Sequence, residues 1–167
     1  MANFMDGDQQ ERGRRGSTEH DRQLALRDHA IKRILAEIPS AKLNGSWESR
    51  LANNVNFSFE FIEGEGMLLQ LAARGICVSS GSACTSGSLD PSHVLLAIGL
   101  PYEIAHGSLR MTIGRATPRE DVDFAVDSLA TTLENLRMMS PLYEDFQRGK
   151  ADSVIARRRA DGFPYAN

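Results

Sequence analysis

Two short segments in which apolar and polar residues alternate limit the architectures open to this chain. In residues 54–60 (N-V-N-F-S-F-E) the residues at odd-numbered positions are apolar, and the same alternation returns in residues 109–113 (L-R-M-T-I). Such alternation indicates a strand with one buried face and one polar face. Because a sheet of this kind must bury its apolar face against other elements, the pattern predicts a small sheet with helices packed on one side.

Amphipathic helices are predicted on both sides of these strands. Apolar residues recur at helical spacing over 21–38, and Pro39 ends that helix. The longest helix is predicted to begin at residues 117–120 (T-P-R-E), which have the sequence of a capping box. The alternation of helices and strands predicts an α/β sandwich (α+β) whose small, mostly antiparallel sheet is covered by helices. Shorter elements are predicted at 67–72 (helix), 76–78 (strand), 91–98 (helix, with Asp90 as its N-cap) and 141–148 (helix).

The bulk properties are those of a globular protein with one main domain. The chain has 167 residues, of which 41% are hydrophobic and 25% charged. We expect an irregular arm over residues 1–20, the folded domain over 21–150 and a polar tail over 151–167. The net charge of −3 gives no reason to expect nucleic acid. No apolar run is long enough to span a bilayer, and no signal peptide is visible. A cytoplasmic location is therefore expected, with an organelle matrix left open.

The two cysteines stand in different surroundings. Cys77 lies between Ile76 and Val78, so we expect it to be a small hydrophobe in the core. Cys84 lies in residues 79–88, where nine of ten residues are Ser, Thr, Gly or Ala and offer little to bury. Its thiol should therefore be accessible, and the thiolate is the reactive form. An incidental surface cysteine fits the same local pattern. Neither a disulfide nor a zinc site is expected from the spacing.

The segment around Cys84 resembles a known active-site loop. Residues 79–100 (S-S-G-S-A-C-T-S-G-S-L-D-P-S-H-V-L-L-A-I-G-L) are similar to the loop and following helix of pyridoxal-phosphate-dependent cysteine desulfurases, members of the class V aminotransferase family that serve iron–sulfur and nitrogenase cofactor assembly. The similarity continues through residues 53–65 and 105–126, and covers roughly 25–150. It implies the fold of the C-terminal small domain of fold-type I pyridoxal-phosphate enzymes.

The resemblance implies roles for three residues. Cys84 falls at the position of the family's persulfide-forming cysteine. Arg110, in S-L-R, falls at the position of the arginine that binds the substrate carboxylate, a task that suits a guanidinium. Thr18 falls at the position of a threonine that reaches the cofactor phosphate of the partner subunit in the dimer. No metal site is implied, although Cys84 could transiently ligate a cluster together with a scaffold protein.

The implied reaction takes sulfur from L-cysteine as a persulfide on Cys84 and releases alanine. The sulfur would pass to an iron–sulfur scaffold or another acceptor protein. The implied cofactor, pyridoxal phosphate, needs a Schiff-base lysine, and Lys32, Lys42 and Lys150 all lack the family's Ser-x-His-Lys context. We therefore expect the chain to be inactive without a missing N-terminal half or a homodimer partner. A non-catalytic persulfide carrier or partner-binding module, and a degenerate remnant, are the alternatives.

Overall fold

The computed structural model describes residues 6–80 and 91–160, with side chains described over 18–80 and 91–157. The three strands form one antiparallel sheet in the order β1-β2-β3. Cys84 and Asp90 lie outside the described residues. The helix expected over 91–98 begins at His93 with Ser92 as its N-cap, so the prediction that Asp90 caps a helix starting at Pro91 was wrong. The elements in chain order are α1 (Asp6–Glu37), β1 (Ala41–Leu43), β2 (Asn54–Phe59), α2 (Gly64–Ala72), α3 (His93–Ala97), α4 (Tyr102–His106), β3 (Ser108–Thr112), α5 (Arg119–Met138), α6 (Pro141–Gln147) and α7 (Val154–Ala160).

The apolar face of the central strand organises the main core. Val55, Phe57 and Phe59 are at most 1% exposed, and each such burial stabilises the fold by about 1.5–3 kcal/mol. Helices α1, α2 and α5 complete this core on the same side of the sheet. The predicted α/β sandwich is therefore confirmed. The helical residues that take part are Leu26, Ala30, Ile31, Ile34, Met67, Leu71, Val122, Val126, Leu129 and Leu133.

The opposite face of the sheet is polar along its whole length. It is closed at one end, where the paired residues Ser58 and Ser108 are 0% and 2% exposed. It is open at the other end, where Arg110 and Thr112 are exposed. The residues of this polar face, from β1 to β3, are Lys42, Asn54, Asn56, Ser58, Ser108, Arg110 and Thr112.

Ion pairs fix α1 against α5. Arg33 of α1 bonds to Asp123 at 3.0 Å and to Asp127 at 2.6 Å. His29 Nε2 also bonds to the Asp123 carboxylate, and this hydrogen bond is the main cause that holds the pKa of Asp123 below its usual value, with Arg33 adding to it. The two longest helices are thus held in one alignment over the sheet.

The beginning of α1 differs from the sequence prediction. Residues 6–20 were expected to be irregular, but the helix begins at Asp6. Gly13 and Gly16 each cost about 1 kcal/mol relative to alanine in a helix. No proline occurs between Asp6 and Glu37, however, and lengthening a helix already formed over 21–37 needs no new nucleus. The proposed domain limits at residues 21 and 150 stay predictions.

Part of the predicted polar tail is docked on the body of the protein. Ile155 is 6% exposed and packs in a second apolar cluster with residues of α3 and α4. Glu60, which is 1% exposed, accepts hydrogen bonds from Ser153 Oγ at 2.6 Å and from the Ile155 amide at 2.9 Å. Arg137 donates to the Glu60 carbonyl at 3.3 Å, and burial lowers the pKa of this arginine. A buried carboxylate and one apolar side chain therefore anchor a segment that is otherwise polar.

Several local predictions were wrong. Strand β1 and helix α4 were not predicted, because three to five residues give too short a pattern to recognise. The strand expected at 76–78 is absent, and only Ser79 makes a β-bridge there. The N-cap of α5 is Pro118 without a side-chain bond, because the Thr117 hydroxyl accepts a hydrogen bond from the Gly114 amide at 3.1 Å instead of capping the helix.

The start of β3 lies very close to the end of β2. The Phe59 amide donates to the Gly107 carbonyl at 2.9 Å. A Cβ atom on Gly107 would lie 2.2 Å from the Phe59 carbonyl oxygen, a separation that real Cβ atoms do not show. Only glycine at position 107 therefore lets α4 enter β3 at this register.

Substitution of Glu60 tests the docking of α7. We expect Glu60→Ala to lower the free energy of unfolding by roughly 2–3 kcal/mol, because the Ser153 hydroxyl and Ile155 amide lose a buried acceptor. Glu63→Ala, at an exposed glutamate nearby, is the control and should change stability by less than about 0.5 kcal/mol. Urea unfolding measures the stability, and amide hydrogen exchange at Ile155 reports the release of α7. Equal stability of the two variants would contradict a docked α7.

Candidate functional site

Arg110 lies in the middle of β3, on the open part of the polar face. Its neighbour Leu109 is 1% exposed and points into the core, whereas Arg110 is exposed, as the alternation predicted. Within residues 18–80 and 91–157, no hydrogen bond or ion pair occupies its guanidinium. A guanidinium with unoccupied donors can bind a planar carboxylate through two parallel hydrogen bonds.

The segment that leads to Cys84 is tied to the backbone of Arg110. The Arg110 amide donates to the Ser79 carbonyl at 2.7 Å, and the Ser79 amide donates to the Arg110 carbonyl at 3.1 Å. Ser79 and Ser80 are the last described residues before Cys84, which itself lies outside the described residues. The structure therefore fixes the entry to that segment beside the exposed guanidinium.

A network of amides and a hydroxyl lies next to Arg110 on the same face. Asn56 is the residue directly opposite Arg110 on β2. Asn44 Nδ2 donates to Asn56 Oδ1 at 2.8 Å and to Ser58 Oγ at 2.9 Å. Arg50 in turn donates to the Asn44 carbonyl at 2.7 Å, and its partial burial lowers its pKa.

The residues of this network belong to no recognisable functional motif in the sequence. The alternation in β2 placed Asn54, Asn56 and Ser58 on the polar face, which was the available signal. It could not identify which of them faces Arg110, because the register between two strands is not contained in the periodicity of either one.

Cys77 is exposed, so the prediction that it is a core residue was wrong. Ile76 and Val78, on either side of it, pack partly buried against the main core. In an extended segment, alternate side chains point in opposite directions, so Cys77 faces away from the core that its two neighbours contact.

Cys77 contributes to the wall of a cavity of about 330 Å³ between the 75–78 segment, β3 and α5. The cavity is mostly apolar, and Phe124 and Met111 contribute to its lining. Asp121 is its one acidic residue, and no lysine, arginine or histidine of the described ranges lines it.

The described residues do not fit a pyridoxal phosphate site. The cofactor needs a lysine for its Schiff base and donors for its phosphate in one place. The cavity supplies no lysine, and its walls carry no cationic side chain from the described ranges to pair with the phosphate. Lys32 is exposed on α1, Lys42 lies on β1 with β2 between it and Arg110, and Lys150 is exposed after α6. No step through the cofactor is therefore derived from these residues.

Thr18 belongs to helix α1 and not to the sheet face that carries Arg110. It is exposed, one turn before Arg22. The Arg22 guanidinium donates to the carbonyls of Gly114 at 3.0 Å and Thr117 at 2.8 Å, in the turn that follows β3. Thr18 thus lies on a different element from Arg110, and its contact with a cofactor phosphate of the partner subunit stays a prediction.

The described ranges carry neither a metal-binding cluster nor a membrane-spanning helix. Over residues 18–80 and 91–157, no three side chains among His, Cys, Asp and Glu are grouped to hold a metal ion. In the same part of the chain no helix combines the length and the apolar character needed to cross a bilayer.

Comparison with known proteins gives one consistent family. A family model described as aminotransferase class-V matches residues 11–124. The cysteine desulfurase IscS of Clostridium botulinum is 45% identical over 176 aligned positions, which cover 91% of this chain and 44% of that protein. The cysteine desulfurase IscS of Methanosarcina thermophila is 55% identical over 119 positions, which cover 71% of this chain and 29% of that protein. The chain thus spans less than half the length of these relatives.

Solved structures show the same fold. A NifS-like protein has a TM-score of 0.59 at 25% identity, with 70% of this chain and 28% of that chain covered. The cysteine desulfurase CsdA of Escherichia coli has a TM-score of 0.53 at 22% identity, with 71% of this chain and 26% of that chain covered.

Thiol labelling tests the exposure of Cys77. In a Cys84→Ser variant, Cys77 is the only thiol. We expect iodoacetamide to alkylate it in the folded protein at a rate within about threefold of that in urea, because an accessible thiol needs no unfolding to react. Mass spectrometry of the intact protein measures the rate. Labelling that appears only above the unfolding transition would show that Cys77 is buried.

Proposed function

We propose that this chain is the sulfur-accepting and carboxylate-binding part of a cysteine desulfurase. The proposal starts from the family, since this chain belongs to the aminotransferase class-V family. The observation that carries the proposal is the pair of hydrogen bonds between Ser79 and Arg110. They join the base of the segment that contains Cys84 to a residue whose exposed guanidinium has no partner among the described side chains.

Arg110 would bind the carboxylate of L-cysteine. Its guanidinium offers donors on the open part of the polar face, and no carboxylate of the described residues competes for them. A bidentate pair would fix both the position and the orientation of the substrate, which a single ammonium could not do. The substrate's sulfur would then be held at a defined distance from β3.

Cys84 would accept the sulfur. It follows Ser79 by five positions, and five residues of extended chain reach roughly 18 Å at most, so its thiol can approach a substrate bound at Arg110. The Cys84 thiolate would attack the substrate sulfur, forming an S–S bond while the substrate's C–S bond breaks. The substrate carbon gains a proton and leaves as alanine, so the sum is L-cysteine plus thiol giving alanine plus persulfide, with no external oxidant.

The cofactor chemistry would come from residues outside the described site. Members of this family depend on pyridoxal phosphate, which activates the substrate's C–S bond when it is bound. Since the described lysines do not converge on a cavity, we propose that a separate lysine-bearing part completes the enzyme. An iron–sulfur scaffold or other sulfur-acceptor protein would then receive the sulfur from Cys84.

A persulfide carrier is the second candidate. The lack of a fitting cofactor site among the described residues favours it as much as it favours a divided enzyme. A carrier would receive its sulfur from another enzyme's persulfide and would never release alanine. The two candidates therefore differ in whether alanine is released.

Complementation separates these candidates. We expect the chain alone, with pyridoxal phosphate and L-cysteine, to release no alanine. Together with the N-terminal part of the Clostridium botulinum relative, it should release alanine and place one extra sulfur atom on Cys84. Alanine analysis and peptide mass spectrometry measure the two products.

Three variants complete this experiment. Cys84→Ser should abolish sulfur uptake, whereas Cys77→Ser, the matched cysteine control, should leave it unchanged. Arg110→Gln should lower kcat/KM for L-cysteine at least about thirtyfold, the loss expected when a charged partner is removed. Sulfur on Cys84 supplied by a complete desulfurase, with no alanine released by this chain alone or together with the N-terminal part, would support the carrier. Alanine release by the chain alone would contradict the need for a second part.

A further inference from the structure

Asn56 and Arg110 form a cross-strand pair at the open end of the polar face. They are register partners in the antiparallel β2–β3 pairing, on the same side of the sheet. Cβ atoms of such partners lie about 4.5–5.5 Å apart, so their side chains can contact a common ligand. Asn56 is half-buried and Arg110 is exposed, which leaves both within reach of a small molecule.

The orientation of the Asn56 amide is set from the side away from Arg110. Its oxygen accepts the hydrogen bond from Asn44 Nδ2 at 2.8 Å. Asn44 is itself 7% exposed and its other Nδ2 hydrogen bond goes to Ser58, which is fully buried. Since oxygen and nitrogen occupy different arms of a planar amide, the bond from Asn44 to the oxygen leaves the Asn56 nitrogen free of Asn44.

The Asn56 nitrogen has no acceptor in the part of the chain that the structure describes. Together with the Arg110 guanidinium it forms a surface made only of hydrogen-bond donors. The Asn56 oxygen is not part of this surface, because it already accepts the hydrogen bond from Asn44. A donor-only surface of this size matches a carboxylate, whose two oxygens accept up to about four hydrogen bonds.

We propose that Asn56 is a second carboxylate-binding residue, which donates from Nδ2 to the amino-acid carboxylate held by Arg110. This inference rests on the proposed function, since it names a further residue of the same substrate site. Asn44 and Ser58 are positioning residues, because they orient the Asn56 amide without contacting the substrate.

Nuclear magnetic resonance of the isotope-labelled 167-residue chain tests the inference directly. L-Alanine, which carries the carboxylate of the substrate and product, is the probe, and L-alaninamide, which lacks it, is the control. We expect L-alanine to shift both the Asn56 Nδ2 signals and the Arg110 Nε signal along one saturation curve. L-Alaninamide should shift neither.

A matched pair of variants separates binding from structure. Asn56→Asp keeps the oxygen that Asn44 requires but replaces the donor nitrogen by an acceptor. It should therefore raise the Kd for L-alanine by about tenfold or more, with an unchanged unfolding midpoint. Asn54→Asp adds the same charge on the same face, opposite Thr112, and should raise the Kd by no more than about twofold.

The outcomes distinguish this inference from the function on which it rests. Asn56 is not a ligand if its Nδ2 signals do not respond to L-alanine while the Arg110 Nε signal does. The same holds if the Asn56→Asp and Asn54→Asp variants bind L-alanine equally well. In both cases the carboxylate site at Arg110 stands. If Arg110 Nε does not respond, or Arg110→Gln binds L-alanine as the unmodified chain does, the carboxylate site itself is wrong. The wild-type Nδ2 signals decide the question even if Asn56→Asp fails to fold.

Discussion

Strand β2 pairs with β3 in a register that serves two purposes at once. Phe57 and Phe59 must face α1, α2 and α5 if the main core is to form, and each is at most 1% exposed. Side chains on a strand alternate with a period of two, so a slip by one residue would expose the phenylalanines and bury the asparagines. The same register sets Asn56 opposite Arg110. The free energy of core burial therefore also holds the polar site together.

Two separate cores fix the ends of the segment that contains Cys84. On the entry side, Ser79 bonds to Arg110 in the sheet, which belongs to the main core. On the exit side, Ser92 is buried and α3 packs with α4 and Ile155 in the second cluster. Because Glu60 anchors the segment that carries Ile155, a residue at the end of β2 contributes to the support of α3 through α7. The short elements α3, α4 and α7 thus anchor the chain where it leaves the segment that contains Cys84.

The sequence predicted the parts of the fold that repeat a pattern over many residues. The apolar stripe of α5 and the alternation in β2 and β3 extend far enough to be recognised, and the exposure of Arg110 followed from that alternation. Cys77 was misplaced because two apolar neighbours suggested burial, whereas an extended segment sends the middle side chain the other way. The anchoring of Ile155 depends on a carboxylate some ninety residues earlier, which no local pattern reports. The role of Cys84 rests on its resemblance to known loops and stays a prediction.

Gly107 has a consequence for how variation in this chain should be interpreted. The approach of Phe59 leaves no room for a side chain at that position, and Gly64 is in a similar situation, since a Cβ there would lie 2.7 Å from the His106 carbonyl oxygen. Natural selection would keep both glycines whatever chemistry the protein performs. A survey of tolerated replacements would therefore mark the junction of α4 with β3 as invariant, although no reacting group is placed there. Invariance at this junction would reflect close backbone packing. It would point to the closed end of the sheet, whereas the candidate site at Arg110 lies at the open end.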